Sequence, residues 1–306
     1  MLFKRVSVLV AAVMMVLTMF AASAPAIRDT NPNVKAASPV PVEHRNSWNM
    51  IFNDEFKGTT LNTTKWVTCY PRTDPRDNGC THSDELQRYL PKNVIVSDGT
   101  VKLRARKENY VAPDGKKYKY TSGMITTGKD KRDTTTPAKF TYQYGYMEMR
   151  AKVPHGQGLW SVFWSLPWVK SDPGYWPPEI DVVEILGHNT AKAYMTYHWR
   201  GSADGHQQSG AKWTGPDLSQ DFHRYGVSWK PSAIRWFIDG REVRAAYTNN
   251  GNITSLPQYL LANLAVGGSW PGAPDAKTPF PSDLEIDYIR VWQKQTDTRQ
   301  HNLEQR

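Results

Sequence analysis

Residues 176–186 read Trp176-Pro177-Pro178-Glu179-Ile180-Asp181-Val182-Val183-Glu184-Ile185-Leu186. Valine, isoleucine and alternating polarity predict a strand here, with both prolines confined to its first positions because proline cannot donate to a ladder. On a regular strand Glu179, Asp181 and Val183 share one face, and Glu184 joins Ile180, Val182 and Leu186 on the other. A carboxylate would then sit among core residues. One extra residue at Val182-Val183, a β-bulge, removes the conflict: Glu179, Asp181 and Glu184 line one face, while Ile180, one of the valines and Ile185 pack beneath. The bland alternative is a strand with a solvated acidic face. Three acids within six positions, the forced bulge and the Trp-Pro-Pro entry favour chemistry.

The two glutamates lie about 13 Å apart at Cα, four strand steps of about 3.3 Å. Side chains leaning together bring the carboxyls to about 5–6 Å, which suits double displacement at a sugar's anomeric carbon.

The chain has 306 residues, enough for one large β domain. Lys4 and Arg5, an apolar run from Val6 to Phe20, and small residues at Ala22, Ala24 and Ala26 predict a secretory signal over 1–26. The run is short for a membrane span, so the expected mature protein is secreted, extracellular and free of the membrane. Residues 27–46, rich in Pro, Ala and Asn, read as a linker, and the polar 295–306 as a tail. Cys69 and Cys80 are the only cysteines; outside the cytoplasm they either oxidise to a disulfide or persist as two thiols. The net charge of +9 is scattered and no nucleic-acid module is visible, so no nucleic-acid partner is expected. Twelve Trp and fifteen Tyr are many for this length; most fill a core, and some beside the acidic strand suit the apolar faces of sugars.

Short alternating runs recur from Trp48 on, at Asn93–Val96, Val101–Ala105, Tyr144–Val153, Leu159–Leu166, Ile234–Ile238 and Leu284–Val291. Asp98-Gly99 and Asp239-Gly240 are hairpin-turn signals. Long amphipathic helical patterns are absent, which predicts one all-β sandwich over 47–294.

Beyond the acidic strand, further blocks occur in order: Phe52-Asn53-Asp54-Glu55-Phe56, Asp84-Glu85-Leu86-Gln87, Ser122-Gly123-Met124-Ile125, Tyr144–Lys152, Gly156–Trp160, Tyr225–Trp229, Asn263–Gly272 and Asp287–Trp292. Together they resemble glycoside hydrolase family 16, in particular its laminarinase-like endo-β-1,3-glucanases. The resemblance implies a jelly-roll β-sandwich of two antiparallel sheets with an open cleft. It also implies retaining hydrolysis, with Glu179 as nucleophile, Glu184 as acid/base and Asp181 hydrogen-bonded to Glu179. Laminarinases share the bulged acidic motif with agarases and carrageenases, while the Asn263–Gly272 block tilts the likeness toward β-1,3-glucan. Two departures, the Trp-Pro-Pro approach and Ser83-Asp84 where Asn is usual, touch the expected cleft edge.

The same resemblance places sugar contacts at Glu148, Arg150, Trp160, Trp176, His198 and Asn263. Against it, Glu148 with Arg150 also reads as an exposed ion pair, His198 as a packed histidine and Trp164 as core. Trp160, Val162 and Trp164 share one strand face. His155, His188, His206 and His223 lack metal-ligand spacing. No catalytic cofactor is implied. One structural calcium is, with Asp287 and carbonyls near Glu55 and Gly99 as ligands. The expected protein is a monomer acting on a polysaccharide. The rival readings are a galactan hydrolase, a cell-wall transglycosylase, or a non-catalytic glucan-recognition protein. The last class loses one of the glutamates, and here both are present.

Overall fold

The computed structural model describes residues 48–70, 80–82, 84–129, 137–170, 175–201, 205–247 and 252–294. The expected signal segment 1–26, the linker 27–46, the tail 295–306, Ser83 and the inter-cysteine Pro71, Pro75 and Gly79 lie outside the described residues.

Among the described residues the strands form two sheets. In the larger, β14 (Arg241–Tyr247), β13 (Ala233–Ile238), β12 (His223–Lys230), β7 (Gly145–Lys152), β16 (Ser282–Lys294), β4 (Thr100–Val111), β5 (Lys117–Ser122) and β2 (Gln87–Tyr89) follow one another; β1 (Trp48–Asp54) pairs with β16, and β3 (Val94–Ser97) with β4. In the smaller the order is β11 (His206–Thr214), β10 (Lys192–Arg200), β9 (Glu179–Leu186), β8 (Leu159–Pro167), β15 (Gln258–Val266) and β6 (Met124–Thr126). Pairing is antiparallel except between β2 and β5.

The expected runs fall on strands, except that Asn93 precedes the first and Tyr144 and Val153 flank β7. Asn93 belongs to a 3₁₀ turn, Pro91–Asn93, where its buried amide donates to Thr121 Oγ1 at 2.8 Å and to the Ser122 carbonyl at 3.2 Å. Asp98-Gly99 and Asp239-Gly240 turn the chain with φ of 56° and 74°, and 51° and 78°. Positive φ at both central residues matches the right-handed twist of the flanking strands.

Alternation sorts each strand between the layers. Met147, Met149 and Ala151 of β7 meet Ile180, Val182, Val183 and Ile185 of β9 in the principal core. Trp66, Trp229 and Trp236 are buried there too, so these aromatics are packing residues. The outer face of the smaller sheet carries a second cluster, with Val162, Trp164, Tyr89 and Tyr70 at its centre and Trp160 and Trp176 against it. A surface this apolar, outside the main core, floors a cleft. Cys69 and Cys80 are bonded, with Cα atoms 4.8 Å apart, and Cys80 packs against the cluster that holds Tyr70. β11 forms the free edge of the smaller sheet and is almost wholly exposed. No helix among the described residues is long and apolar enough to cross a membrane.

Candidate active site

β9 is bulged at the position its pattern demands. Phe163 on β8 faces Val183, but the next residue, Trp164, faces Asp181. On the other side Tyr194 faces Glu184 and Thr196 faces Asp181. Val182 is therefore the extra residue, and both valines pack in the core while all three acids line the cleft. A bulge interrupts the ladder, and the Asp181 carbonyl accepts its hydrogen bond from elsewhere: Trp236 Nε1, on β13 of the opposite sheet, donates to it across the core at 2.8 Å.

The acids differ in environment. Glu184 is held well above the usual carboxylate range by burial, then by the negative charges of Asp181 and Glu179; the Trp160 indole opposes this weakly. That indole N–H is buried and makes no hydrogen bond of ordinary geometry. Asp181 is likewise raised, by burial first and then by the charge of Glu179 and a hydrogen bond to it, with Arg244 opposing. Two carboxyls sharing a hydrogen bond in a dry site keep one proton between them. Trp176 Nε1 donates to Glu179 Oε2 at 2.5 Å and fixes that carboxyl in the cleft.

The cleft encloses about 310 Å³. Trp160 lies in its wall, edge-on to Trp270 at 5.2 Å, and Trp176 stands beside His206 at 4.7 Å. Trp160, Val162 and Trp164 share the cleft face of β8, as alternation requires. Trp164 is both wall and packing, only 6% exposed, with its indole donating to Asn263 Oδ1 at 2.8 Å. Asn263 reaches the cleft, but its amide also donates to Tyr89 Oη at 3.0 Å, so it braces two wall aromatics.

Two expected sugar contacts, Glu148 and Arg150, lie away from the cleft. Glu148 and Arg150 lie on β7 of the opposite sheet, facing away from the core shared with β9. Glu148 is fully buried, accepting from Tyr146 Oη at 2.8 Å and Tyr288 Oη at 2.6 Å. Burial pushes it up to about 7 against those tyrosines and against Arg224 and Arg290. Arg150 pairs with Asp287 at 2.6 Å and covers the Phe222 ring. His198 on β10 does stand beside the acids, opposite Glu179, but both ring nitrogens are engaged: Nε2 with Asp181 Oδ2 at 3.1 Å and Nδ1 with His206 Nε2 at 2.8 Å. Burial holds it below the usual histidine range despite the charge of Glu179. His198 is thus a bracket for Asp181.

Of the groups expected to hold calcium, the Asp287 carboxylate pairs with Arg150 at 2.6 Å. Arg290 clamps the Glu55 side chain with bonds of 2.7 and 2.6 Å, whereas the expected ligands at Glu55 and Gly99 are backbone carbonyls. Among the described residues the acids and histidine whose ligand atoms gather, all within 4.8 Å, are Glu179, Asp181 and His198. They are the groups that could hold a cation.

Sequence reasoning passed over Trp236, Arg244 and Glu85 as individual residues. The first two are ordinary core and strand positions in the linear chain, and only the layering brings them to Asp181. Glu85 stood inside a quoted block, Asp84–Gln87, without a role.

The sequence model of the family described as "Glycosyl hydrolases family 16" matches residues 87–290. "Glucan endo-1,3-beta-glucosidase A1" of Niallia circulans is 35% identical over 81% of this chain and 38% of its own length. "Beta-glucanase" of Rhodothermus marinus is 31% identical over 80% of this chain and 85% of its own. The solved endo-β-1,3-glucanase of Pyrococcus furiosus superposes with a TM-score of 0.71 at 31% identity, covering 81% of this chain and 95% of that one. The chain spans about a third to a half of the length of several curated relatives it matches. A family match over most of the two-sheet domain, with the bulged acid row inside it, shows that this chain belongs to glycosyl hydrolases family 16.

Proposed function

We propose that the protein is an exported, retaining endo-hydrolase of β-1,3-glucans, with mixed-linkage β-1,3-1,4-glucans within its range. The observation that carries this reading is the row of Glu179, Asp181 and Glu184 on one face of a bulged strand, in an aromatic cleft. Relatives named as endo-1,3-β-glucanases support the substrate, and the charged and apolar N-terminal pattern supports export.

Glu179, oriented by the Trp176 indole, attacks the anomeric carbon. Glu184 starts protonated and gives that proton to the leaving oxygen as the glycosidic bond breaks, leaving a glycosyl ester on Glu179. Glu184, now a carboxylate, takes a proton from water. The water attacks the same carbon and Glu179 leaves. Asp181, braced by His198 and by Trp236 at its carbonyl, shares a hydrogen bond with the nucleophile and holds it in place.

The test is a polysaccharide panel with three readouts. On laminarin, viscosity falls faster than reducing ends accumulate, and proton NMR shows the β-anomer first. An α-anomer burst overturns double displacement. Cleavage of agarose or carrageenan in place of laminarin overturns the substrate alone. Binding of laminarin without new reducing ends turns the reading into that of a recognition protein.

A further inference from the structure

In the cleft with the acid row is a carboxyl that the reaction does not use. Glu85 lines the same cavity as Glu179 and Glu184. The segment that carries it is tied down at three points. Asp84 Oδ2 accepts from the Ser269 N–H at 2.7 Å, Leu86 N–H donates to the Val266 carbonyl at 2.8 Å, and Gln87 Oε1 accepts from the Val266 N–H at 2.7 Å. The carboxyl itself is oriented by two donors on one oxygen: Gln87 Nε2 at 2.6 Å and Tyr89 Oη at 3.2 Å both reach Oε2. Tyr89 is fixed in turn by Asn263, and Asn263 by Trp164. The His82 backbone also hydrogen-bonds this carboxyl, which lines the cleft. A polar group held by such a network at the wall of a cavity is a preorganised contact.

We infer that Glu85 is a substrate-binding residue, whose carboxyl meets a sugar oxygen at the wall of the cleft. The inference rests on the glycan reading of the cleft and deepens it, since it assigns a specificity contact to a wall otherwise made of aromatic rings.

The protonation state sets the sense of that contact. Burial pushes Glu85 up to about 8, against the hydrogen bonds of Gln87 and Tyr89 and with the aid of Asp84's charge. Around it stand Asp84 and His82 on its own segment, Tyr89 on β2 and Tyr70 behind, with Glu179, Asp181 and Glu184 in the same cleft. In neutral solution Glu85 therefore carries a proton and offers an O–H donor to an acceptor oxygen of the sugar. Glutamine reproduces that state, with a carbonyl acceptor and an NH₂ donor in place of the carboxyl's two oxygens.

The experiment measures binding in the full chain made inactive by Glu179→Gln, with a β-1,3-linked glucohexaose as the probe, by calorimetry at pH 6 and pH 9.5. Adding Glu85→Ala weakens Kd about tenfold, the size of one lost hydrogen bond. Adding Glu85→Gln leaves Kd within about twofold at pH 6 and binds tighter than the Glu85 parent at pH 9.5, where the parent has lost its donor. If Glu85→Ala does not fold, the glutamine variant and the parent's pH dependence still decide the matter. An unchanged Kd in Glu85→Ala overturns the inference, as does a parent affinity that is flat between the two pH values. Failure of the parent to bind the glucan is instead the failure of the glucan reading. The same variants on the panel glycan that does bind then decide Glu85.

Discussion

Burial and two neighbouring negative charges push Glu184 the same way, well above the usual carboxylate range. The acid is therefore present at neutral pH, and activity is lost on the alkaline side as Glu184 gives up its proton before substrate arrives. Glu184→Gln removes that alkaline limb and slows cleavage of unactivated glucan about 10²–10⁴-fold, the usual worth of a positioned acid/base. A substrate with a good leaving group still forms the glycosyl ester, so pre-steady-state kinetics show a burst followed by slow turnover; an unchanged limb places the acid elsewhere. At Glu179 the sharper variant is its neighbour. Trp176→Phe keeps a ring but removes the 2.5 Å donor from the nucleophile. It lowers kcat about tenfold with KM nearly constant, a split that loss of sugar stacking alone would reverse.

The bulge in β9 was legible because a regular strand forces a carboxylate into an aliphatic row, and strand periodicity admits few remedies. What satisfies the bulge was not legible. Trp236 lies 55 residues from Asp181 and on the other sheet. Trp236→Phe leaves the Asp181 carbonyl buried without a donor, which costs about 1–3 kcal/mol in addition to the lost volume. Denaturant melts measure that loss, and the activity remaining in folded protein falls because the acid row loses its register. The cysteine pair shows a related limit. Two cysteines in a chain do not reveal whether their Cα atoms approach; here they do, at 4.8 Å. Removing the bond with Cys69→Ser lowers stability by about 2–3 kcal/mol, given the short loop it closes.

Across the whole molecule, the two sheets divide the work. The smaller carries the acid row and cleft floor, and the larger supplies the packing beneath. The misplacement of Glu148 and Arg150 follows from this layering. Alternation told correctly that they share a face. It could not tell which sheet they belonged to, and β7 is buried on both sides, so its apolar pattern marks neither face as outer. Stability against acid is also a property of the assembled fold. Asp217 accepts from Thr190 Oγ1 at 2.6 Å, from the Ser219 N–H at 3.0 Å and from Gln220 at 2.9 Å, and these bonds hold it below the usual range. A carboxyl lowered by folding lends stability above its unfolded value of about 3.9 and loses it as pH falls toward the folded value. Asp217→Asn therefore lowers Tm at pH 7, on the order of 2 °C because the site is mostly exposed and screened. Below pH 3 the gap between variant and parent narrows; a constant gap would show that the effect is not one of charge.

β11, two strands from the acid row, ends the smaller sheet as an open edge, the arrangement that invites another chain to zip alongside. Its sequence, His206-Gln-Gln-Ser-Gly-Ala-Lys-Trp-Thr214, answers with amides, hydroxyls, a lysine and a glycine in place of a β-branched row. The edge nearest the active site is thus kept from templating aggregation by its own hydration. Crowding the protein, or loading many copies onto one polymer, brings these edges together without giving them an apolar reason to stay.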